Sequence, residues 1–382
     1  MDGLRAIAAI SVLVSHAGFA AGYSQAGTLG TWTTNLNSGV TIFFVISGFL
    51  LYRPFVAAQL TGRSGPGLSR FYWRRLLRIV PAYWTALTVL AIASGDGGTF
   101  DHWPVHYLFL QPYQATAPGG LFQTWSLAVE VAFYLVLPLY AFVAGRVFEH
   151  SPVRRRVAGE LWLLLGISLL SALANLTWLH GETSALVSGL PRYFFWFALG
   201  MAIAVVSAGR AHAAGLRPSR ISGWIAVRPG ALWLSAALLF LLLGAVSEQP
   251  ADGITFTPNQ QMLQWLLAGA IALLLVLPAA FRDPSAGSVP ARVLSTRTAR
   301  WLGLVSYGIF LWQVAPLRWM NEHEFLRAQS AGGRFFAYAT VALVVTIPLA
   351  AASYYGIERP FLRLKDPRPS KPARTAKAEA PS

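Results

Sequence analysis

The sequence predicts an all-α fold, a polytopic membrane bundle of about ten transmembrane helices with both termini cytoplasmic. Three observations carry this expectation. Of 382 residues, 55% are hydrophobic and only 12% charged, about half the charge of an ordinary soluble chain. Apolar runs of about twenty residues, long enough to cross a bilayer as helices, recur along nearly the whole length. The basic residues between those runs fall almost entirely in alternate loops.

In chain order the runs cover about 4–22, 39–58, 79–96, 124–146, 160–178, 190–207, 230–247, 260–281, 301–319 and 334–356. The first is not a good signal peptide, because its short leading segment holds Asp2 and His16 interrupts its apolar core. The run 105–110 is too short to span and reads as a re-entrant or interfacial piece. Basic residues cluster at 63–78, 146–156, 210–228, 282–300 and 359–377, which together hold 24 of the 30 Lys and Arg. The loops 23–38, 97–123, 179–189 and 248–259 hold none. The positive-inside rule then puts the basic side in the cytoplasm of a bacterial plasma or inner membrane. On this reading the net charge of +15 reflects topology and needs no nucleic acid. Membrane lipid is the partner that such a bundle requires. Residues 1–361 form one transmembrane domain, and 362–382, rich in Pro, Lys and Ala, form a disordered basic cytoplasmic tail. With no Cys, disulfides, a thiol nucleophile and Cys-ligated metal are excluded, and no metal site is expected. No internal repeat is visible, which counts mildly against an inverted-repeat transporter.

The ionisable groups narrow the chemistry. Arg5 and His16 lie eleven residues apart on the first helix, about three turns, so they share a face some 16 Å apart along the axis. Of seven His, only His16 falls well inside a span, and of fifteen acids only Glu130 is clearly buried in one. Counted from the outer ends of their helices, both sit about 9 Å below the surface, with Ser47 slightly deeper. They would pair there, either as a packing hydrogen bond or as a His general base oriented by a carboxylate. Arg75 and Arg78 share one face at the cytoplasmic mouth of the third helix. With Arg5 they could hold a polyphosphate, or they could simply anchor the topology against anionic lipid. Ser47 is a nucleophile or a backbone-bonded hydroxyl. Trp125, Phe133, Tyr134, Tyr307 and Trp312 read as belt or packing residues.

Six segments in this order resemble the acyltransferase-3 family of integral-membrane acyltransferases. They are Asp2–Ala8 with its Arg5 and His16, Phe43–Leu50, Arg75–Pro81, Trp125–Pro138, Ser306–Trp312 and Ile357–Phe361. The resemblance covers residues 2–361 and corresponds to the stand-alone form, with no C-terminal soluble domain. It implies transfer of an acyl group, often acetyl, from cytoplasmic acyl-CoA to a hydroxyl of a carbohydrate, glycolipid or glycosylated metabolite. Acyl-CoA would be a co-substrate, and no cofactor is implied. It further implies that His16 and Glu130 are catalytic and that Arg5, Arg75 and Arg78 serve the donor. Asp2, Ser47, Trp125, Ser126 and Tyr307 are the supporting positions. The chain departs from the pattern at Gln313, where the family often has His. Two other expectations compete: a proton-coupled transporter built on a His16–Glu130 pair and helix-breaking prolines such as Pro138 and Pro316, and a purely structural scaffold.

Overall fold

The computed structural model describes residues 1–25, 27–114, 119–181, 184, 188–212, 228–247, 257–281 and 289–365. Arg217, Arg220, Arg282 and the expected tail beyond Lys365 lie outside the described residues. Every regular element described is helical. The order begins α1 (Asp2–Ala20), α2 (Gly27–Asn35), α3 (Gly39–Leu60), α4 (Leu68–Ala93), α5 (Gly97–Asp101) and α6 (Trp103–Tyr107). It continues with α7 (Trp125–Val147), α8 (Val153–Leu179), α9 (Leu190–His212), α10 (Pro229–Val246) and α11 (Pro258–Ala280). Next come α12 (Val289–Leu294), α13 (Arg297–Leu304), α14 (Ser306–Trp312), α15 (Val314–Glu322) and α16 (Ala331–Ser353).

Among the described residues, nine helical segments are long and apolar enough to cross a bilayer. The tenth expected span, 301–319, is broken into α13, α14 and α15. Its breaks fall at Val305 and Gln313, and Pro316 lacks the N–H that a continuous helix needs. Side chains take up part of the freed backbone: Ser306 Oγ donates to Gly303 O at 2.8 Å, and Gln313 Nε2 donates to Phe310 O at 3.0 Å. Such compensation is what permits a broken helix inside a bilayer. A second difference is α2. The polar stretch expected as a loop coils into helix and extends the second span back to Gly27.

The core is organised around α3 and α9. A Cβ on Gly48 would overlap the carbonyl of Phe197, and one on Gly200 that of Val45. Bare backbones at both positions let the helices touch, the usual way membrane helices gain van der Waals contact. Phe44, Phe197 and Phe133 then stack across α3, α9 and α7, with centroids 4.5 and 4.1 Å apart. The sequence reading had Glu130 as the one buried acid; it is only partly buried, and the buried acids among the described residues are two others. Glu160 is 0% exposed and Glu358 is 4% exposed. Glu160 accepts from Tyr52 Oη at 2.7 Å and pairs with Arg156 at 3.2 Å. Arg156 also donates to Gln59 at 2.6 Å, so the charge pair is closed by hydrogen bonds.

Both described ends of the chain lie on one face. Tyr23, past the end of α1, stacks on Phe335 near the start of α16 at 4.7 Å. At the other end of these helices, Arg5 lies within electrostatic reach of Glu358. The face with Arg5 and Glu358 is called the basic face below.

Candidate active site

Two polar clusters are strung along α1. The one nearer the basic face centres on Glu130. Its Oε1 accepts from Ser47 Oγ at 2.5 Å and from Tyr134 Oη at 2.6 Å. Tyr134 sits on the same face of α7 one turn on, which is why an i, i+4 pair forms. Arg5 from α1 and Arg75 from α4 lie within electrostatic reach of this carboxylate, and Arg78 from α4 lies within reach of both arginines. Arg75 lies 5.8 Å from the Tyr134 ring centroid, and its Nε has no hydrogen-bond partner among the described residues. Glu358 completes the group, near Arg5 and Arg78, with its Oε1 likewise unpartnered. A cavity of about 50 Å³ opens beside the cluster, lined by Arg5, Glu130, Ser126, Ser306, Tyr307 and Phe310 among others.

The second cluster holds His16. Its Nδ1 faces Gln313 Oε1 at 3.3 Å, and its ring meets Phe122 edge-on at 4.9 Å. Gln313 uses its amide N–H on Phe310 O, which leaves only its carbonyl oxygen for the imidazole. An acceptor at Nδ1 requires the proton on Nδ1 and leaves Nε2 as the basic nitrogen. The glutamine thus does what a carboxylate does in many His bases, without the charge.

Glu130 is therefore not the partner of His16, and the expected direct pair is corrected. The reason is depth. Residues 97–114 and 119–124 fold back into the bundle as α5, α6 and short turns, with Tyr83 Oη holding His106 O at 2.5 Å. Phe122 already touches His16 before α7 begins at Trp125. Glu130 follows eight residues later, about 12 Å further toward the basic face, at the level of Arg5. The sequence count assumed that α7 starts at the opposite surface.

The supporting positions are distributed as follows. Ser47 is on Glu130. Trp125 packs on Tyr193 at 5.0 Å, and Ser126 Oγ donates to Gln123 O at 3.1 Å. Tyr307 Oη donates to Ile79 O at 2.9 Å, tying α14 to α4. Asp2 is exposed, and its backbone carbonyl packs against Gly303. Sequence reasoning missed Gln313 as a partner, Tyr134 as a polar ligand of Glu130 and Glu358 as a buried charge. Gln313 was visible only as a departure from a pattern. Among the described residues, no group of His, Asp and Glu could hold a metal ion.

The fold and these clusters define a polytopic α-helical membrane protein with an imidazole and a guanidinium group partly buried along one helix. The chain belongs to the acyltransferase-3 family, whose profile, described as an acyltransferase domain, matches residues 1–355. YrhL of Bacillus subtilis is 27% identical over 382 residues, covering 94% of this chain and 54% of its own length. Peptidoglycan O-acetyltransferase OatA of Listeria monocytogenes is 27% identical, covering 82% of this chain and 48% of its own. Exopolysaccharide production protein ExoZ of Rhizobium meliloti is 26% identical, covering 85% of this chain and 89% of its own. The chain thus spans about half the length of the first two relatives. No solved structure matches it.

Proposed function

We propose that this protein is a membrane O-acyltransferase that moves an acyl group, most simply acetyl, from acyl-CoA to a hydroxyl of a carbohydrate-containing acceptor. The observation that carries the reading is α1 itself, with Arg5 in a guanidinium cluster at one level and His16, its Nε2 left basic by Gln313, at another. The phosphates of CoA rest on Arg5, Arg75 and Arg78 at the basic face, which the positive-inside rule assigns to the cytoplasm. The thin pantetheine arm runs along α1 toward His16. His16 Nε2 takes the proton from the acceptor hydroxyl as its oxygen attacks the thioester carbonyl carbon. The C–S bond then breaks, the CoA thiolate leaves with the electron pair, and the His16 imidazolium gives it the proton, which restores the neutral base. Glu130 is a positioning residue: fixed by Ser47 and Tyr134, it holds the arginines apart from one another and aimed at the donor.

The carbohydrate acceptor is supported by the names of OatA and ExoZ, one acting on peptidoglycan and one in exopolysaccharide production. The transporter reading needs a shared proton between His16 and Glu130, and no hydrogen bond links them. The test is His16→Ala in membranes supplied with labelled acetyl-CoA. Acyl transfer should fall to background while the protein remains folded and inserted. Transfer at the wild-type rate would overturn the assignment.

A further inference from the structure

A second, larger cavity lies toward the face opposite the arginines, and the proposed reaction has not used it. It encloses about 310 Å³, within the range of pockets that bind small molecules. Its walls come from the junction of α2 and α3, the ends of α8 and α10, and the starts of α7, α9 and α11. It reaches the level of His16: Thr34, in its wall, accepts a hydrogen bond from Ser15 Oγ at 3.0 Å. Val40 lines both this cavity and the small one beside Glu130. Trp125 lines it next to Ser126 of that smaller cavity.

Its lining pairs aromatic faces with unused donors. Trp125, Tyr193, Trp196 and Trp265 form a run of rings, with successive centroids 5.0, 5.2 and 5.7 Å apart. Asn35 Nδ2, Gln264 Nε2 and Trp265 Nε1, on residues of its wall, are buried donors with no hydrogen-bond partner among the described residues. Leaving such donors unpaired is costly unless something occupies the cavity and accepts from them. Arg192 is in the wall, held by neutral partners. Its Nε donates to Asn175 at 2.7 Å, and its guanidinium lies 3.4 Å from the centroid of Trp178. No Asp or Glu is among the described lining residues.

We infer that this cavity is an acceptor subsite that holds one glycosyl unit, next to the unit whose hydroxyl reaches His16. A sugar ring matches both features. Its C–H face is apolar and slightly positive, which suits the negative face of an indole. Its hydroxyls accept from Asn35, Gln264 and Trp265. A cation would find no carboxylate among the described lining residues. His16 does not line the cavity, so the subsite positions the acceptor and takes no part in bond making. This inference rests on the acyltransferase reading for its purpose, although binding itself is measured without turnover.

The full chain in lipid nanodiscs is titrated with cellotetraose and with chitotetraose while tryptophan fluorescence is followed, three of the lining residues being Trp. A saturable change with at least one of the two is expected. The Asn35→Ala, Gln264→Ala double variant should bind about tenfold more weakly or worse, the cost of two lost hydrogen bonds. In turnover, its KM for the saccharide should rise by a similar factor, with the KM for acetyl-CoA within twofold of wild type. No saturable response in the wild type, or equal affinity in the variant, overturns the subsite. A response to phosphatidylglycerol vesicles in place of the saccharides also overturns it, in favour of lipid. Saccharide binding that the variant weakens, with no acyl group ever transferred, keeps the subsite and removes the acyltransferase reading. Transfer to a saccharide with unchanged KM in the variant does the reverse.

Discussion

At the scale of single residues, the bond between Gln313 and His16 decides which imidazole nitrogen is basic. Gln313→Leu keeps the volume and removes the acceptor, so the ring is free to rotate or change tautomer. The kcat for acyl transfer should fall about 10- to 100-fold, the worth of one orienting hydrogen bond of 1.5–3 kcal/mol. The KM for acetyl-CoA should barely move. Gln313→Glu restores an acceptor and should recover most of the rate, which a merely structural role for Gln313 would not require. Tyr134→Phe makes the parallel test on the other cluster. Removing a charge-assisted bond to Glu130 should cost about 1.5–3 kcal/mol of stability, read as thermal unfolding in detergent, and should raise the donor KM. Arg5, His16 and Glu130 were each legible in the sequence, because ionisable side chains in apolar runs stand out. Their partners were not. Depth depends on where a helix begins, and a folded-in segment such as 97–114 shifts every later residue by turns.

At the scale of elements, hydropathy located the spans because a bilayer-crossing helix must be apolar for about twenty residues. It could not reveal the breaks at Val305 and Gln313, since Trp301–Trp319 stays apolar through both. Nor could it reveal α2, whose Thr and Asn residues read as a loop. The crossing of α3 and α9 is a different matter, because it depends on contacts between residues far apart in sequence. Gly200→Leu would force a side chain into the carbonyl of Val45. We expect loss of at least 1–3 kcal/mol, the usual cost of overpacking, seen as a lower unfolding temperature and weaker recovery from detergent. Glu160→Ala tests the buried network on α8. It strands the Arg156 charge and should destabilise by about 3–5 kcal/mol, whereas adding Arg156→Met to the same chain should recover much of that loss.

At the scale of the whole molecule, the basic face carries an arrangement that is unfavourable until an anion arrives. Arg5 and Arg78 repel one another, as do Arg75 and Arg78, and the carboxylates of Glu130 and Glu358 offset only part of that charge. A polyanion would relieve the remainder, which is the role proposed for the cluster and one that a simple topological anchor would not have. The two possibilities separate cleanly by donor chemistry. With acetyl-CoA as donor, Arg78→Ala should raise KM about 10- to 100-fold, the loss of a charge-assisted contact. With S-acetylpantetheine, which has the same thioester and arm but no nucleotide phosphates, the same substitution should change KM little. Added salt should weaken acetyl-CoA binding to the wild type more than to the variant, because fewer ionic contacts remain there to be screened. If Arg78→Ala alters both donors equally, the cluster supports the fold and not the phosphates. The donor must then enter by another route, and the placement of Arg5 below His16 loses its catalytic meaning.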